Sequence, residues 1–220
     1  MADRPSRIFV LSPAHCGGER ARLVLNERAR FDLARRVQNG SGATLGEVFS
    51  FLSGLYFRGK LAYARAFARP VADHAGIYVI TPNEGLRLAD EHVDLERLRG
   101  FARVDIASKD PRYREPLDRD VSRLATQIGA HGEVILLGSI ATDKYVDPLL
   151  TAFGDRLRFP TDFVGRGDMS RGGLLLRCVR AGVELEYVPV REAVRHGPRP
   201  SRLQPLPRRP AGRSSSPTGS

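Results

Sequence analysis

A chain of 220 residues, 41% hydrophobic and 7% aromatic, has room for one domain or one domain plus a tail, with enough apolar residues for a core. It holds no run of about 18 apolar residues, so no membrane span is expected, and the apolar run Ile8–Leu11 is too short for the core of a signal peptide. Two cysteines, Cys16 and Cys178, and five scattered histidines suggest neither a disulfide framework nor a metal site, so a cytoplasmic protein with no cofactor is expected.

The net charge of +10 is uneven: residues 189–220 hold seven arginines and one acid, Glu192. That segment is also rich in proline and ends Arg-Ser-Ser-Ser-Pro-Thr-Gly-Ser. Such a composition buries too little apolar surface to offset its ordering entropy, which predicts a disordered basic tail. A basic tail raises nonspecific affinity for nucleic acid, although a solvated terminus explains it equally well.

In chain order, Arg7–Leu11 is a short apolar run stopped by Ser12-Pro13 and reads as a buried strand. Segments 19–26 and 29–38 read as helices, with Leu23, Leu25, Phe31, Leu33 and Val37 as core candidates. Asn39-Gly-Ser-Gly is a loop. Thr44-Leu-Gly-Glu47 has the spacing of a capping box that starts a helix at Leu45. Residues 56–68 form a stronger helix with Phe57, Leu61, Ala64 and Phe67 on one side. Residues 76–81 read as a second buried strand, 86–102 as irregular or weakly helical, and Arg103–Ile106 as a third strand or an edge. Helix 116–128 repeats Leu117, Val121, Leu124 and Ile128 at helical spacing. Strand Glu133–Leu137 is the clearest in the chain, followed by a helix over 143–153, a short strand over 157–159, a helix over 170–181 and a last strand over 184–188.

Repeated strand, turn and helix units predict an α/β fold: one domain over 1–188, with a mixed or mostly parallel sheet flanked by helices, and the tail over 189–220. Ligands of such sheets sit beyond the carboxyl ends of the strands. Three loops therefore matter: Ser12–Gly18, Thr81–Gly85 and Gly138–Lys144.

The segment Gly165–Gly173 packs four glycines, Asp168, Ser170, Arg166 and Arg171 ahead of an apolar helix. Paired glycines suggest close approach of something to the backbone, either a ligand or a neighbouring helix. Asp168 is the first choice for a catalytic or base-reading carboxylate, and Glu84, in the turn after the second strand, is the other candidate acid or base. Ser53, Arg58 and Lys60 lie on a Ser-Gly turn that opens a helix and could hold a phosphate. Alternatively, Arg58 and Lys60 are a solvated helix face. Ser12, His15, Ser139 and Lys144 are polar members of the strand-end loops. Cys16 reads better as an inert buried thiol than as a nucleophile. The segment lacks the Gly-x4-Gly-Lys-Ser/Thr pattern of a triphosphate loop.

Four motifs resemble the YaaA-type proteins, the peroxide-stress group. They are Val10-Leu-Ser-Pro-Ala14, Ile80-Thr-Pro-Asn-Glu-Gly-Leu86, Leu137-Gly-Ser-Ile-Ala-Thr-Asp-Lys-Tyr145, and the segment 165–177. They run in family order across most of residues 7–180. The resemblance implies a single α/β domain that binds DNA, in DNA repair or the response to oxidative stress, without implying a reaction. The leading expectation is thus a nucleic-acid-binding protein, with DNA ahead of RNA. Its contacts would be Ser12, His15, Ser53, Arg58, Lys60, Ser139, Lys144, Arg166, Ser170 and Arg171. The alternatives are an enzyme acting on a nucleobase or nucleoside through Asp168 or Glu84, and a protein-interaction subunit in which these loops are structural.

Overall fold

The structure, a computed structural model, describes residues 6–40, 42–70 and 74–203. Its sheet is built from the apolar runs. β1 (Arg7–Leu11) is followed by α1 (Glu19–Leu25), α2 (Asp32–Gln38), the two-residue strand β2 (Ala43–Thr44), α3 (Leu45–Ser53) and α4 (Leu55–Phe67). Next come β3 (Ile77–Ile80), β4 (Leu86–Leu88), β5 (His92–Val93), α5 (Leu95–Ala102) and α6 (Pro111–Gln127). The chain ends through β6 (Glu133–Leu137), α7 (Asp143–Phe153), β7 (Leu157–Pro160), α8 (Asp168–Ala181) and β8 (Tyr187–Pro189).

Six strands form one sheet in the order β4-β3-β1-β6-β7-β8, while β2 and β5 pair as a small ribbon. β1, β3, β6 and β7 are parallel, and the two edge strands, β4 and β8, are antiparallel to their neighbours. The parallel strands are continuous apolar runs because helices cover them. Ile8 to Leu11 and Val134 to Leu137 are all buried. From β1 the chain moves outward through β3 to β4, then returns to the other side of β1 and continues through β6, β7 and β8. The strand order therefore reverses between β1 and β6, a topological switch point. Leu11 pairs with Leu137 across it, and the Ser12 N–H donates to Leu137 O at 3.0 Å, so the two loops leave the sheet side by side.

The helices are placed by their caps and apolar stripes. Thr44 and Glu47 form the expected capping box, and Arg36 closes on Glu47 at 2.9 Å. The Arg36 guanidinium and the Thr44 N–H hold the Glu47 carboxyl down to about 2. α4 packs on β1 and lies backbone to backbone on α8. A methyl group at Gly172 would lie 2.7 Å from Leu55 O, and one at Gly59 would lie 2.7 Å from Gly172 O. The close approach at this glycine pair is thus a helix contact, and of the two readings of Gly172 the packing one holds. A methyl group at Gly173 would meet, among the described residues, only Leu203 Cδ1, at 3.8 Å.

Several sequence expectations are corrected. Leu23 and Phe31 are 53% and 37% exposed, because the one-sided burial of α1 and α2 falls on Ala21, Val24, Ala34 and Val37. Arg103–Ile106 forms no strand; it runs as coil from the end of α5. Instead the edge of the sheet is β4, within the segment read as irregular, where Thr81 and Gly85 close the turn that reverses the chain. α6 starts at Pro111 with Asp110 as its cap, five residues before the expected start, and carries Pro116 inside it. α8 starts at Asp168 rather than Ser170. Contacts with the body also continue past residue 188: Val190 is buried, Arg191 pairs with Asp155, and Arg195 pairs with Asp143. The part of the expected tail from residue 204 on, with Arg208, Arg209 and Arg213, lies outside the described residues.

Candidate functional site

All three strand-end loops open into one cleft of about 640 Å³ at the switch point. Ser12, His15 and Cys16 reach it from the loop after β1, Pro82 from the loop after β3, and Ser139, Thr142 and Lys144 from the loop after β6. Ser53 and Tyr56 enter from the α3–α4 turn, Tyr145 from α7, and Asp168 from the first turn of α8. The segment 101–107 supplies the remaining wall, with Phe101, Val104, Asp105 and Ile106 facing the cleft. The coil that replaces the expected strand at 103–106 is thus part of the site.

Beneath the cleft lies Lys60, 1% exposed. Its Nζ donates to Ser12 O at 2.6 Å and to Ser12 Oγ at 2.8 Å. The ammonium also sits over the rings of Tyr56 and Phe57, at 4.6 and 4.7 Å from their centroids. Lys60 forms no ion pair among the described residues, which is unusual for a buried cation. Burial pushes its pKa down to about 7. The charge of Asp168 acts against this shift, and that of Arg171 adds to it. Of the two sequence readings of Lys60, the solvated helix face is therefore corrected, and the buried amine presents no exposed cation to a phosphate either. Its neighbours one turn either way, Tyr56 and Ala64, are also buried, so it projects from the apolar side of α4.

Two lining tyrosines, Tyr145 and Tyr56, complete this polar floor, and a third, Tyr113, is buried on α6. Tyr145 Oη accepts from the Ser139 N–H at 2.9 Å and lies against Ser12. A methyl group at Gly138 would come within 2.8 Å of Ser12 Cβ and 3.1 Å of Tyr145 Oη, so glycine is what lets the two hydroxyls meet across the switch point. Tyr56 Oη and Tyr113 Oη are buried without a hydrogen-bond partner in the described structure. Burial raises the pKa of all three phenols, so they are neutral donors at ordinary pH. The His15 ring folds back over Gly17 and Gly18, 3.0 Å from where a Gly18 methyl would lie. Cys16 is 4% exposed, and burial pushes its thiol up to about 12, which fits the inert reading.

Other expected site residues lie elsewhere. Glu84 does not line the cleft: Arg97 at 2.6 Å and Arg87 at 3.2 Å hold it, and both of its carboxylate oxygens accept from Arg97. Arg58 is exposed in a shallow groove with Arg36, Glu47 and Arg65. Arg171 donates from Nε and Nη2 to Phe163 O at 3.1 and 3.0 Å, fastening the loop ahead of α8. Arg166 and Ser170 line a second groove of about 320 Å³ with Arg177, Arg199 and Arg202, and no Asp or Glu lines it.

Of the expected residues, the cleft brings together Ser12, His15, Ser53, Ser139, Lys144 and Asp168, with Lys60 below them. Sequence reasoning missed Tyr145 and Tyr56 as polar groups of the floor, and Asp105 in the wall. Tyr145 had a signal, being the residue that directly follows the loop after β6, in the first turn of α7. Among the described residues no three His, Cys, Asp or Glu side chains gather as metal ligands, and no helix is long and apolar enough to cross a membrane. Compared with known proteins, the chain matches no family model, no curated protein and no solved structure.

Proposed function

We propose that the protein is an enzyme that takes a nucleoside-sized polar molecule into the switch-point cleft. The observation that carries this reading is the convergence of three strand-end loops on one cleft floored by a buried Lys60 that forms no ion pair among the described residues. A cavity with an apolar wall and a few convergent polar groups is the usual form of a small-molecule site. Phe101, Val104 and Ile106 offer the flat apolar side, Asp105 and Asp168 can accept from sugar hydroxyls or base N–H groups, and Lys144 and His15 can contact an anionic or carbonyl oxygen. The two free cysteines, one buried and one partly so, fit a reducing compartment, and a cytoplasmic location belongs to the same proposal.

The test is a thermal-shift and calorimetric screen of bases, nucleosides and nucleotides against the full chain. A ligand at about 100 times its Kd adds about 2.7 kcal/mol of stability, or roughly 5–10 °C in Tm at this chain length. Asp168→Ala should weaken binding at least tenfold, and Arg58→Ala, outside the cleft, should not. Binding that is absent throughout, or equally affected by both variants, overturns the reading.

The arginine groove favours a second reading, nucleic-acid binding, and the resemblance to YaaA-type proteins points the same way. Arg166, Arg177, Arg199 and Arg202 line that groove and form no ion pairs among the described residues. If phosphates sit there, Arg177→Ala with Arg199→Ala should lower the salt slope of DNA binding by about 1–2. An unchanged slope removes the groove from the interface.

A further inference from the structure

We infer that Ser12 and Lys60 form a nucleophile–base pair that attacks acyl carbonyls, so that the cleft hydrolyses an ester or amide through an acyl-Ser12 intermediate. The inference rests on the proposed reading of the cleft as a small-molecule site and specifies the bond it breaks.

The geometry is that of an activated nucleophile. Ser12 Oγ stands 2.8 Å from Lys60 Nζ, within the reach a general base needs. Ser12 lines the cleft while Lys60 is sealed beneath it, so a substrate meets the hydroxyl and the amine stays dry. Nζ is also fixed by Ser12 O at 2.6 Å and by two aromatic faces, which leaves it little freedom to swing away. The charged and titratable groups around it are few: Asp168 and Arg171 of α8, Tyr56 of its own helix, and Ser12, with Tyr145 of α7 behind Ser12. None lies at ion-pair distance to hold the amine protonated. Its depressed pKa leaves a large share of the amine neutral at pH 7 and above. In that state one N–H donates to Ser12 O, and the lone pair accepts from Ser12 Oγ–H.

The step balances without a co-reactant other than water. Lys60 takes the Oγ proton as Oγ bonds to the carbonyl carbon. The tetrahedral intermediate collapses, the bond to the leaving group breaks, and Lys60 returns the proton to that group. Water then attacks the acyl-Ser12 ester, loses a proton to Lys60, and expels Oγ, which takes the proton back. The Tyr145 hydroxyl, beside Ser12, is the neutral donor placed to meet the developing oxyanion. The apolar side chains Phe101, Val104 and Ile106 give the acyl substituent a wall. A carbonyl substrate suits this floor better than a phosphoryl group, because the lining holds one lysine, Lys144, no arginine, and two carboxylates, Asp105 and Asp168.

The test labels the full chain with an alkyl fluorophosphonate and maps the adduct by intact mass and peptide mass spectrometry. Wild type should carry one adduct, on Ser12, and Ser12→Ala none. Lys60→Met, which keeps the length and removes the base, should slow labelling by about a hundredfold or more, the usual contribution of a general base. Lys60→Arg should do the same, and Ser122→Ala, on an exposed face of α6, should label at the wild-type rate. If Lys60→Met fails to melt cooperatively, the wild-type pH profile decides: the labelling rate should climb through one ionisation near 7. An adduct on Ser53 or Ser139, a flat profile, or unchanged labelling of a folded Lys60→Met overturns the pair. A cleft that binds nucleosides while Ser12 stays unlabelled refutes the pair alone. A labelled Ser12 without nucleoside binding refutes the substrate reading alone.

Discussion

Two adjacent glycines on α8 should respond to the same substitution with opposite signs. In Gly172→Ala the new methyl group lies 2.7 Å from Leu55 O and 2.9 Å from Tyr56 Cα. Both are backbone atoms of α4 and cannot rotate out of the way, so the helices must part. Overpacking of this kind costs about 1–3 kcal/mol, against about 1 kcal/mol regained from better helix propensity. The net effect is a loss of up to roughly 2 kcal/mol, or up to roughly 8 °C in Tm for a chain of this length. Gly173→Ala places its methyl group 3.8 Å from Leu203 Cδ1, an ordinary contact. It keeps the propensity gain and should raise Tm by about 2–4 °C. Calorimetry and urea melts with a common m-value measure both. If both variants shift Tm in the same direction, the close α4–α8 contact is not what Gly172 serves. Because Tyr56 and Lys60 follow on the same helix, Gly172→Ala should also slow any reaction of Ser12, and Gly173→Ala should not.

Lys60 makes a thermodynamic prediction independent of catalysis. Its pKa is depressed from 10.5 to about 7 in the folded state, so between those values the unfolded chain binds the extra proton and stability rises with pH. Each pH unit in that window contributes up to about 1.4 kcal/mol. The Tm of wild type should climb between pH 6.5 and 8.5, and Lys60→Met should flatten the climb. The climb levels off above pH 9, and the sign reverses above about pH 10.5, where the Lys60 window closes, because Cys16 is held up at about 12 when folded and ionises earlier when unfolded. For the same reason Cys16 should resist iodoacetamide at pH 8 in the native protein and react once urea unfolds it, whereas Cys178, half-buried, should react first. Thr44→Ala removes the acceptor of the Glu47 N–H at 3.2 Å and should cost about 1 kcal/mol, read as a fall of about 2–4 °C in Tm.

The sheet was legible because its central strands are uninterrupted apolar runs bounded by Ser-Pro, Thr-Pro-Asn and Gly-Ser, and the convergence of their loops follows from parallel strands. The edges were not. Leu86-Arg-Leu88 is too short to show a period, and Arg103–Ile106 has the composition of a strand but no partner to pair with. The polar floor was hidden for a different reason. Lys60 stands in a stretch with Arg58, and sequence gives two cations two residues apart the same reading. Only the 3.6-residue turn of α4, against β1 on one side and α8 on the other, sends one to solvent and the other into the core. Glu84 was misplaced because the arginine that captures it most closely, Arg97, comes 13 residues later, on α5.

The antiparallel edges of the sheet carry a consequence for solubility. An exposed strand edge is a template for another chain, and the hazard grows with its length and flatness. Here both outer strands are three residues long, one holding Arg87 at its centre and the other ending in Pro189, which has no N–H to donate. The apolar parallel strands, which would aggregate if they lay at an edge, are thus flanked on both sides by strands poorly suited to extension. Replacing Pro189 by valine would restore an N–H at one edge, and replacing Arg87 would remove the charge from the other together with its ion pair to the buried Asp120, and the sheet would then be free to grow from one molecule into the next.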